Sequence, residues 1–507
     1  MRVYKNFENI LVICALLFAT QEIAYTAPPT PRAGSVGQLK SFVNASQKNK
    51  NNNKDAISED QEEENCYPFT KASHPIPPEE VIGWRIKNGK LYLFASNKTY
   101  SVEPLPKDFD SDLKFFKKFP NLISVEFNGL LLTEEMLENL QKFLPKNLKS
   151  LLLHSCHIEK QDYELVADIC RKRTSLVSVS LVDPDSEGEG PATVLGALEN
   201  RPNMKYFNLT VREIDEAIAK CLANLLSNSS GTLRELGLGC DLITGDSKKK
   251  LVENIARAIS LAKGLTKLEL SFVSTSEDDF AHIAESIGNF TKLVSLKMYI
   301  KGLRKHKHVS LFENLEKFQE SLSKLRKLEV FDISSMFLPS DAIKLISQPI
   351  ESMKNLKTLN VSGNVLDEKG AESLSKAIAE TPLITLMANN CGMDSAAFAA
   401  LCKSFPNTSL EQLYVGGNQI KGGAKNLPVA TMKELKVVDF SHNDMDYDDA
   451  MAFIELTKEH PNLYVVSFKG NSGIDSMNPI EKTIKSDQLQ EWKAKNYPDR
   501  QVIFFGL

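Results

Sequence analysis

The sequence predicts an α/β solenoid, a horseshoe of about thirteen repeats with parallel strands on its concave face and helices on its convex face. The first observation is a pattern of three apolar residues, spaced three and then two apart, that ends in Asn, Cys or a turn residue, as in LKTLNVSGN at 356–364. The second is its return, usually every 25 to 29 residues. Self-similarity at such a step is typical of stacked structural repeats. The copies begin at Leu122, Leu148, Leu176, Met204, Leu233, Leu265, Leu293, Leu328, Leu356, Leu383, Leu410, Leu435 and Leu463.

Each copy of the pattern predicts one short strand, and the residues after it predict a helix. In the repeat that begins at Leu356, the apolar residues Ala371, Leu374 and Ile378 recur at helical spacing. One strand and one full helix therefore fill a repeat. Because helices are wider than strands, stacking the repeats places the strands on the inside of the curve.

The N-terminus has the outline of a secretory signal peptide. Arg2 and Lys5 precede an apolar run at 10–19, and small residues follow at 24–27. Ten apolar residues in a helix cover only about half of a ~30 Å hydrocarbon core. We therefore expect a signal peptide at residues 1–26, a secreted or extracytoplasmic location and no membrane span in the mature chain. An apolar tail on a cytosolic protein is the alternative.

Composition divides the rest of the chain. Residues 27–66 contain almost no large apolar side chains and are predicted to be a disordered linker. Residues 67–120 are predicted to form an N-terminal cap, because alternating apolar residues around Asn88 and Gly89 signal a hairpin. The solenoid occupies 121–473. Residues 474–507, with a helix near 488–495 and a closing strand at the C-terminus, are predicted to form the second cap, since a solenoid otherwise exposes apolar ends.

Charge and cysteine content exclude several functions. The chain has 61 Lys and Arg against 65 Asp and Glu, a net charge of −4, so nucleic-acid binding is not expected. Eight cysteines include Cys14 in the predicted signal peptide, and no two are spaced C-x-x-C. We interpret the other seven as buried apolar groups rather than as metal ligands.

An acidic stretch matches the spacing of a calcium loop only in part. It runs from Asp444 to Asp449 and adds Glu455, but Asp449 stands where the sharp turn of such a loop needs Gly. Alignment with the other repeats places Asp446 at the start of a helix, where a carboxylate is favourable. We therefore expect no metal and no cofactor.

The chain also lacks a G-x-S-x-G motif and a phosphate loop, so no catalytic residue is predicted and the chain is not expected to be an enzyme.

The strand motif, the step of 27 to 29 residues and the helical second half resemble the ribonuclease-inhibitor type of the leucine-rich repeat protein family over residues 110–475. The resemblance implies the solenoid fold but leaves the activity open, because the class includes enzyme inhibitors, GTPase activators and innate-immune sensors. A signal peptide on such an array is similar to exported proteins of bacteria or parasitic microbes. We expect a non-catalytic scaffold that binds another protein, with a GTPase activator of the leucine-rich repeat type as the alternative.

Alternation along each strand predicts which side chains face away from the helices. Three tyrosines on that concave side, Tyr206, Tyr299 and Tyr414, are predicted binding anchors, because an exposed Tyr offers a large contact area and few rotatable bonds. The full set of predicted partner-binding residues is Tyr206, Lys297, Tyr299, Asp332, Met387, Tyr414 and Asp439.

Overall fold

The computed structural model describes residues 81–87, 90–95, 98–102, 121–183, 186, 189–243, 248–272, 277–300, 309–475, 489–491 and 503–505. All of them belong to one compact unit, Phe69–Leu507. The predicted signal peptide and linker lie outside the described residues.

One seventeen-stranded sheet runs through this unit. Its first three strands form an antiparallel meander, and every later pairing in the sheet is parallel, in chain order. Two further strands, β5 and β7, pair with each other beside it. The strands are β1 Val81–Lys87, β2 Lys90–Ala95, β3 Lys98–Val102, β4 Ser124–Asn128, β5 Leu131–Leu132, β6 Ser150–His154, β7 His157–Ile158, β8 Ser178–Asp183, β9 Tyr206–Ile214, β10 Glu235–Ile243, β11 Lys267–Phe272, β12 Ser295–Ile300, β13 Val330–Asp332, β14 Thr358–Asn360, β15 Thr385–Met387, β16 Gln412–Tyr414, β17 Val437–Asp439, β18 Val465–Ser467 and β19 Ile503–Phe505.

The thirteen predicted repeats are confirmed. Each predicted start precedes one strand of the parallel sheet, and each starting side chain is at most 1% exposed. The second apolar positions align across neighbouring strands, as Leu268, Leu296, Phe331 and Leu359 do. These side chains form the core between the sheet and the helices. Strands lie ~4.8 Å apart and packed helices 8–10 Å apart, so the sheet is the concave side of the solenoid.

Helices connect consecutive strands on the other side of the core. Five of them start at a side-chain cap: Thr133, Asp215, Asp367, Asp394 and Asp446 each accept a hydrogen bond from a backbone N–H of the first turn. The helices are α1 Glu134–Phe143, α2 Tyr163–Lys172, α3 Glu189–Leu198, α4 Glu216–Asn228, α5 Lys248–Leu261, α6 Glu277–Ile287, α7 Val309–Leu322, α8 Ser340–Ile350, α9 Glu368–Ala379, α10 Ser395–Cys402, α11 Tyr447–Leu456 and α12 Ser472–Asp475.

The acidic stretch at 444–449 belongs to this capping pattern. Asp446 is the N-cap of α11, and Asp449 completes a capping box by accepting from the Asp446 backbone N–H. The prediction that Asp446 begins a helix is confirmed.

One repeat departs from the prediction of a full helix. After β16 the chain forms a short 3-10 turn at Ala424–Asn426 in place of an α-helix. Gly422 and Gly423 precede this turn and Pro428 follows it. Because Gly and Pro are the residues least favourable in a helix, this repeat passes to its next strand in 25 residues, the shortest step of the array.

Two further predictions concern the ends of the sheet. The hairpin at Asn88 and Gly89 is confirmed, since β1 and β2 pair antiparallel with Lys87 opposite Lys90. The closing strand is also confirmed, because β19 pairs parallel with β18. That segments 67–120 and 474–507 act as stabilising caps stays a prediction.

A ladder of asparagines joins the later repeats. Asn364, Asn418, Asn443 and Asn471 are at most 4% exposed, and each side-chain amide bonds backbone groups of its own repeat and of the preceding one. Cys391 occupies the same position in its repeat, and its Sγ donates to the Val361 and Asn389 carbonyl oxygens. At the turns the sheet no longer supplies hydrogen-bond partners for the buried backbone groups, and the side chains of the ladder supply them instead.

The turn before the ladder position requires a left-handed backbone. Gly363 has φ of +71°, and a Cβ there would lie 3.1 Å from the Ser335 Cα of the neighbouring repeat. Gly363→Ala is therefore expected to lower the free energy of unfolding by about 2 kcal/mol, from backbone strain plus the steric clash. Gly129→Ala is the matched control, because Gly129 has φ of +69° but no atom within 4 Å of the added Cβ. Denaturant unfolding of both variants checks this, and equal losses would contradict it.

Candidate functional site

The open sheet face is the side of the sheet turned away from the helices. On β12, for example, Leu296, Met298 and Ile300 are buried, while Ser295, Lys297 and Tyr299 alternate with them and are partly exposed. Register places one residue of each repeat in a line across this face. This middle row is Glu126, Leu152, Ser180, Asn208, Gly237, Glu269, Lys297, Asp332, Asn360, Met387, Tyr414, Asp439 and Ser467.

All seven predicted binding residues lie on the open sheet face. Five are in the middle row, and Tyr206 and Tyr299 lie in the rows on either side of it. Tyr206, Lys297, Tyr299 and Met387 are partly exposed. Their role in binding stays a prediction.

The expectation that Tyr414 is an exposed anchor is wrong. Its side chain is 6% exposed, and its hydroxyl donates to Gln412 Oε1 at 3.3 Å on the same strand. The ring therefore points along the sheet rather than out from it, between its register neighbours Met387 and Asp439. Strands ~4.8 Å apart on a concave wall crowd a ring of this size. Tyr414→Ala is expected to lower stability as well as any binding.

Tyr299, Asp332 and Asn360 form a hydrogen-bonded network across three neighbouring strands. The Tyr299 hydroxyl donates to Asp332 Oδ2 at 3.0 Å, and Asn360 Nδ2 donates to the same oxygen at 3.1 Å. The Ser334 backbone N–H donates to Asp332 Oδ1 at 2.9 Å. Burial and the Asp332 charge raise the pKa of Tyr299, so the hydroxyl keeps its proton. The network holds the ring in one orientation before any partner arrives.

Asp439 is the second buried carboxylate of the middle row. It is 7% exposed and accepts hydrogen bonds from the backbone N–H and the hydroxyl of Ser441, which in turn contacts the Ser467 hydroxyl at 2.8 Å. Burial raises the pKa of Asp439, while these hydroxyls and the nearby His442 act in the opposite direction. The carboxylate is therefore held in place at a cost in stability.

The sequence carries a local signal for these networks. A polar residue at the end of the strand is followed two positions later by serine, in Asp332 with Ser334, Asn360 with Ser362 and Asp439 with Ser441. In each pair the first side chain accepts from the serine backbone N–H. This local Asx arrangement fixes the first side chain. It gives Asn360 and Ser441, which the predicted partner-binding set lacked, a role in holding the two carboxylates.

Asp439→Asn is expected to raise the free energy of unfolding at pH 7. A carboxyl group whose pKa is raised by folding destabilises the folded state once it ionises, and Asn keeps an oxygen that accepts from Ser441. The gain over wild type is expected to be full above the folded-state pKa and to vanish below the ordinary pKa of about 3.8. Denaturant unfolding from pH 3 to 8 measures it. A variant less stable than wild type at pH 7, with the exposed Asp341→Asn as control, would contradict the expectation.

Burial opposes ionisation of several of the cysteines that the structure describes. Burial raises the pKa of Cys156 to about 11 and the pKa values of Cys170 and Cys391 to about 12. The interpretation of cysteines as buried apolar groups is confirmed for these three and for Cys240 and Cys402. Cys221 is half-buried, and Cys66 lies outside the described residues.

Within the described ranges, no group of three or more His, Cys, Asp or Glu side chains is placed to hold a metal ion. Within the same ranges, none of the helices combines the length and the apolar character that crossing a bilayer requires.

Known proteins match the repeat array. A family model described as Leucine Rich repeat matches residues 352–375, which include β14 and the start of α9. The ribonuclease inhibitor of Sus scrofa is 22% identical over 335 residues, or 63% of this chain and 70% of the inhibitor. NLR family CARD domain-containing protein 4 of Xenopus tropicalis is 24% identical over 227 residues, or 44% of this chain and 20% of the relative. The NACHT, LRR and PYD domains-containing protein 9C of Mus musculus is 22% identical over 297 residues, or 52% of this chain and 30% of the relative. The chain thus spans less than a third of the length of these two larger relatives.

Solved structures align with parts of the array. An internalin from Listeria monocytogenes is 16% identical and covers 64% of this chain and 88% of its own, with a TM-score of 0.35. A chain in the yeast Rad7 and Elc1 complex is 12% identical and covers 68% of this chain and 87% of its own, with a TM-score of 0.37.

The in-register strands, the connecting helices and the asparagine ladder define a leucine-rich repeat solenoid, in agreement with the family match. The step near 28 residues and the α-helix in most repeats are similar to those of ribonuclease-inhibitor-type leucine-rich repeat proteins, and the ribonuclease inhibitor of Sus scrofa is among the proteins that this chain resembles.

Proposed function

We propose that this chain is a secreted or exported, non-catalytic scaffold that grips a protein partner on its open sheet face. Leucine-rich repeat proteins typically act as protein-binding scaffolds, and the relatives include a ribonuclease inhibitor. The observation that carries the proposal is the network of Tyr299, Asp332 and Asn360, in which hydrogen bonds across three strands fix a partly exposed aromatic ring.

Rigid side chains favour binding for a physical reason. An interface loses about 0.5–1.5 kcal/mol for each flexible side chain that it immobilises. On the open sheet face this loss has already occurred during folding, because Asp332, Asn360 and Asp439 are each bonded to neighbouring groups. Rigid aromatic groups at the centre of an interface commonly supply most of its affinity.

Paired variants test the proposal. Lys297→Ala with Tyr299→Ala changes the face at two partly exposed positions on β12. Glu372→Ala with Lys376→Ala is the control on the helix side, where the two side chains are 43% and 70% exposed. Immobilised wild type and variants are offered cell extracts, and the captured proteins are quantified by mass spectrometry.

We expect at least one protein that wild type and the helix-side control capture equally and that the face variant captures at least tenfold less. Thermal melting of each variant checks that the array is still folded. Proteins whose capture depends on the helix side but not on the open sheet face would contradict the proposal.

A further inference from the structure

The middle row of the open sheet face carries an excess of negative charge. Its charged members are Glu126, Glu269, Asp332 and Asp439 against Lys297 alone, or four negative charges and one positive charge. The Lys297 ammonium lies 4.0 Å from Glu269 Oε2 and so is directed to that neighbour. Within the described part of the chain, neither Asp332 nor Asp439 has a lysine, arginine or histidine as an ion-pair partner.

The hydrogen bonds to these two carboxylates come from neutral groups, and His442 lies near Asp439 without forming an ion pair with it. Asp332 accepts from the Tyr299 hydroxyl, the Asn360 amide and the Ser334 backbone N–H. Asp439 accepts from the Ser441 hydroxyl and backbone N–H. A buried carboxylate is stabilised more strongly by a hydrogen-bonded cation than by neutral donors, so a cationic donor would stabilise either carboxylate further.

The direction of the Tyr299 hydrogen bond decides what this site offers to a partner. Because the hydroxyl proton is directed at Asp332, the Tyr299 oxygen acts only as an acceptor on its other side, where the Ser334 side chain already hydrogen-bonds to it. An ionised carboxylate has about four acceptor positions, and Asp332 uses three in the structure. Next to Tyr299 and Asp332 the face thus presents acceptors, an aromatic ring and negative charge. This combination suits an ammonium or a guanidinium group, which donates hydrogen bonds and stacks on aromatic rings.

We propose that the partner places a lysine or arginine side chain against Tyr299 and Asp332, and that Asp439 receives a second basic side chain. This inference rests on the proposed function and names the chemistry of its partner. Register separates the two carboxylates by four strand intervals, from β13 to β17, or roughly 19 Å along the sheet. A protein surface or an extended segment with two basic residues at that separation fits both.

The test uses a displayed library of random twelve-residue peptides as the probe, because such a peptide spans this distance when extended. Peptides are selected on the full chain and then measured on wild type, Asp332→Asn, Asp439→Asn and Tyr299→Ala. Asp341→Asn is the control, since it removes an exposed carboxylate at the start of α8. Asn at position 332 keeps an oxygen for the Ser334 N–H, and a thermal melt of each variant verifies folding.

We expect the selected peptides to be enriched in Lys and Arg, to bind Asp332→Asn about tenfold or more weakly, and to bind Asp341→Asn unchanged. Replacing the basic residue of a peptide is expected to remove the difference between wild type and Asp332→Asn. Peptides that require Tyr299 yet show no basic preference and no effect of Asp332→Asn would overturn this inference and leave the proposed function standing. A library without any peptide that depends on Tyr299 would overturn both.

Discussion

Asn418→Ala is expected to lower the free energy of unfolding by about 3–5 kcal/mol. The Asn418 side chain accepts from the Cys391 and Met393 backbone N–H groups at 2.9 and 3.2 Å and donates to the Ala388 and Val415 carbonyl oxygens at 2.9 and 2.8 Å. Alanine removes these partners from four backbone groups, and each buried group left without a partner costs about 1–3 kcal/mol. Partial relaxation and entry of water reduce the sum. Denaturant unfolding followed by circular dichroism measures the loss.

Asn418→Cys is the matched control, because Cys391 fills the same repeat position in the neighbouring turn. A thiol keeps weak donor bonds to carbonyl oxygens, so this variant is expected to lose less stability than the alanine variant. An alanine variant within about 1 kcal/mol of wild type would show that the ladder is not required for stability.

Phe440→Ala is expected to cost about 3–5 kcal/mol through loss of packing. Phe440 is fully buried, and its ring lies 5.1 Å from that of Phe453, 5.8 Å from Phe398 and 6.0 Å from Phe468. It joins Phe398 on α10 and Phe453 on α11 to Phe468 just after β18, so the cavity would open where three repeats meet. Each repeat of a solenoid is stabilised mainly by its neighbours, and the C-terminal repeats are therefore expected to unfold first.

Phe337→Ala is the control for this second prediction, since Phe337 is 37% exposed. Its expected loss is under about 1 kcal/mol. Hydrogen exchange of the two variants locates the effect. Uniform loosening of the whole array in Phe440→Ala, or equal losses for both variants, would contradict the packing argument.

The fold was predictable because one residue pattern determines it at every repeat. Leu359 and its equivalents must be buried, and a shift of one residue would turn all of them to the opposite side of the sheet. The repeat after Leu410 shows the limit of this reasoning. Its apolar start predicts the strand correctly, but Gly422, Gly423 and Pro428 replace the helix with a short turn.

The sequence predicted which side chains lie on the open sheet face, but it did not predict how far each side chain is exposed. Strand alternation correctly placed Tyr299, Asp332 and Tyr414 on one side. It could not show that Tyr414 lies along the sheet, because this depends on crowding by neighbouring strands that are distant in the chain. The bond from Tyr299 to Asp332 joins residues 33 positions apart, across one of the longest steps of the array, so sequence spacing alone gives no sign of it.

Photo-cross-linking tests directly whether the partner binds to the open sheet face. A benzoylphenylalanine is placed at Met387, which is partly exposed on the open sheet face, or at Lys376 on α9, which is 70% exposed. Each protein is irradiated with the partner found by capture. Cross-links are expected from position 387, with few or none from position 376. Cross-links from position 376 with none from position 387 would contradict it.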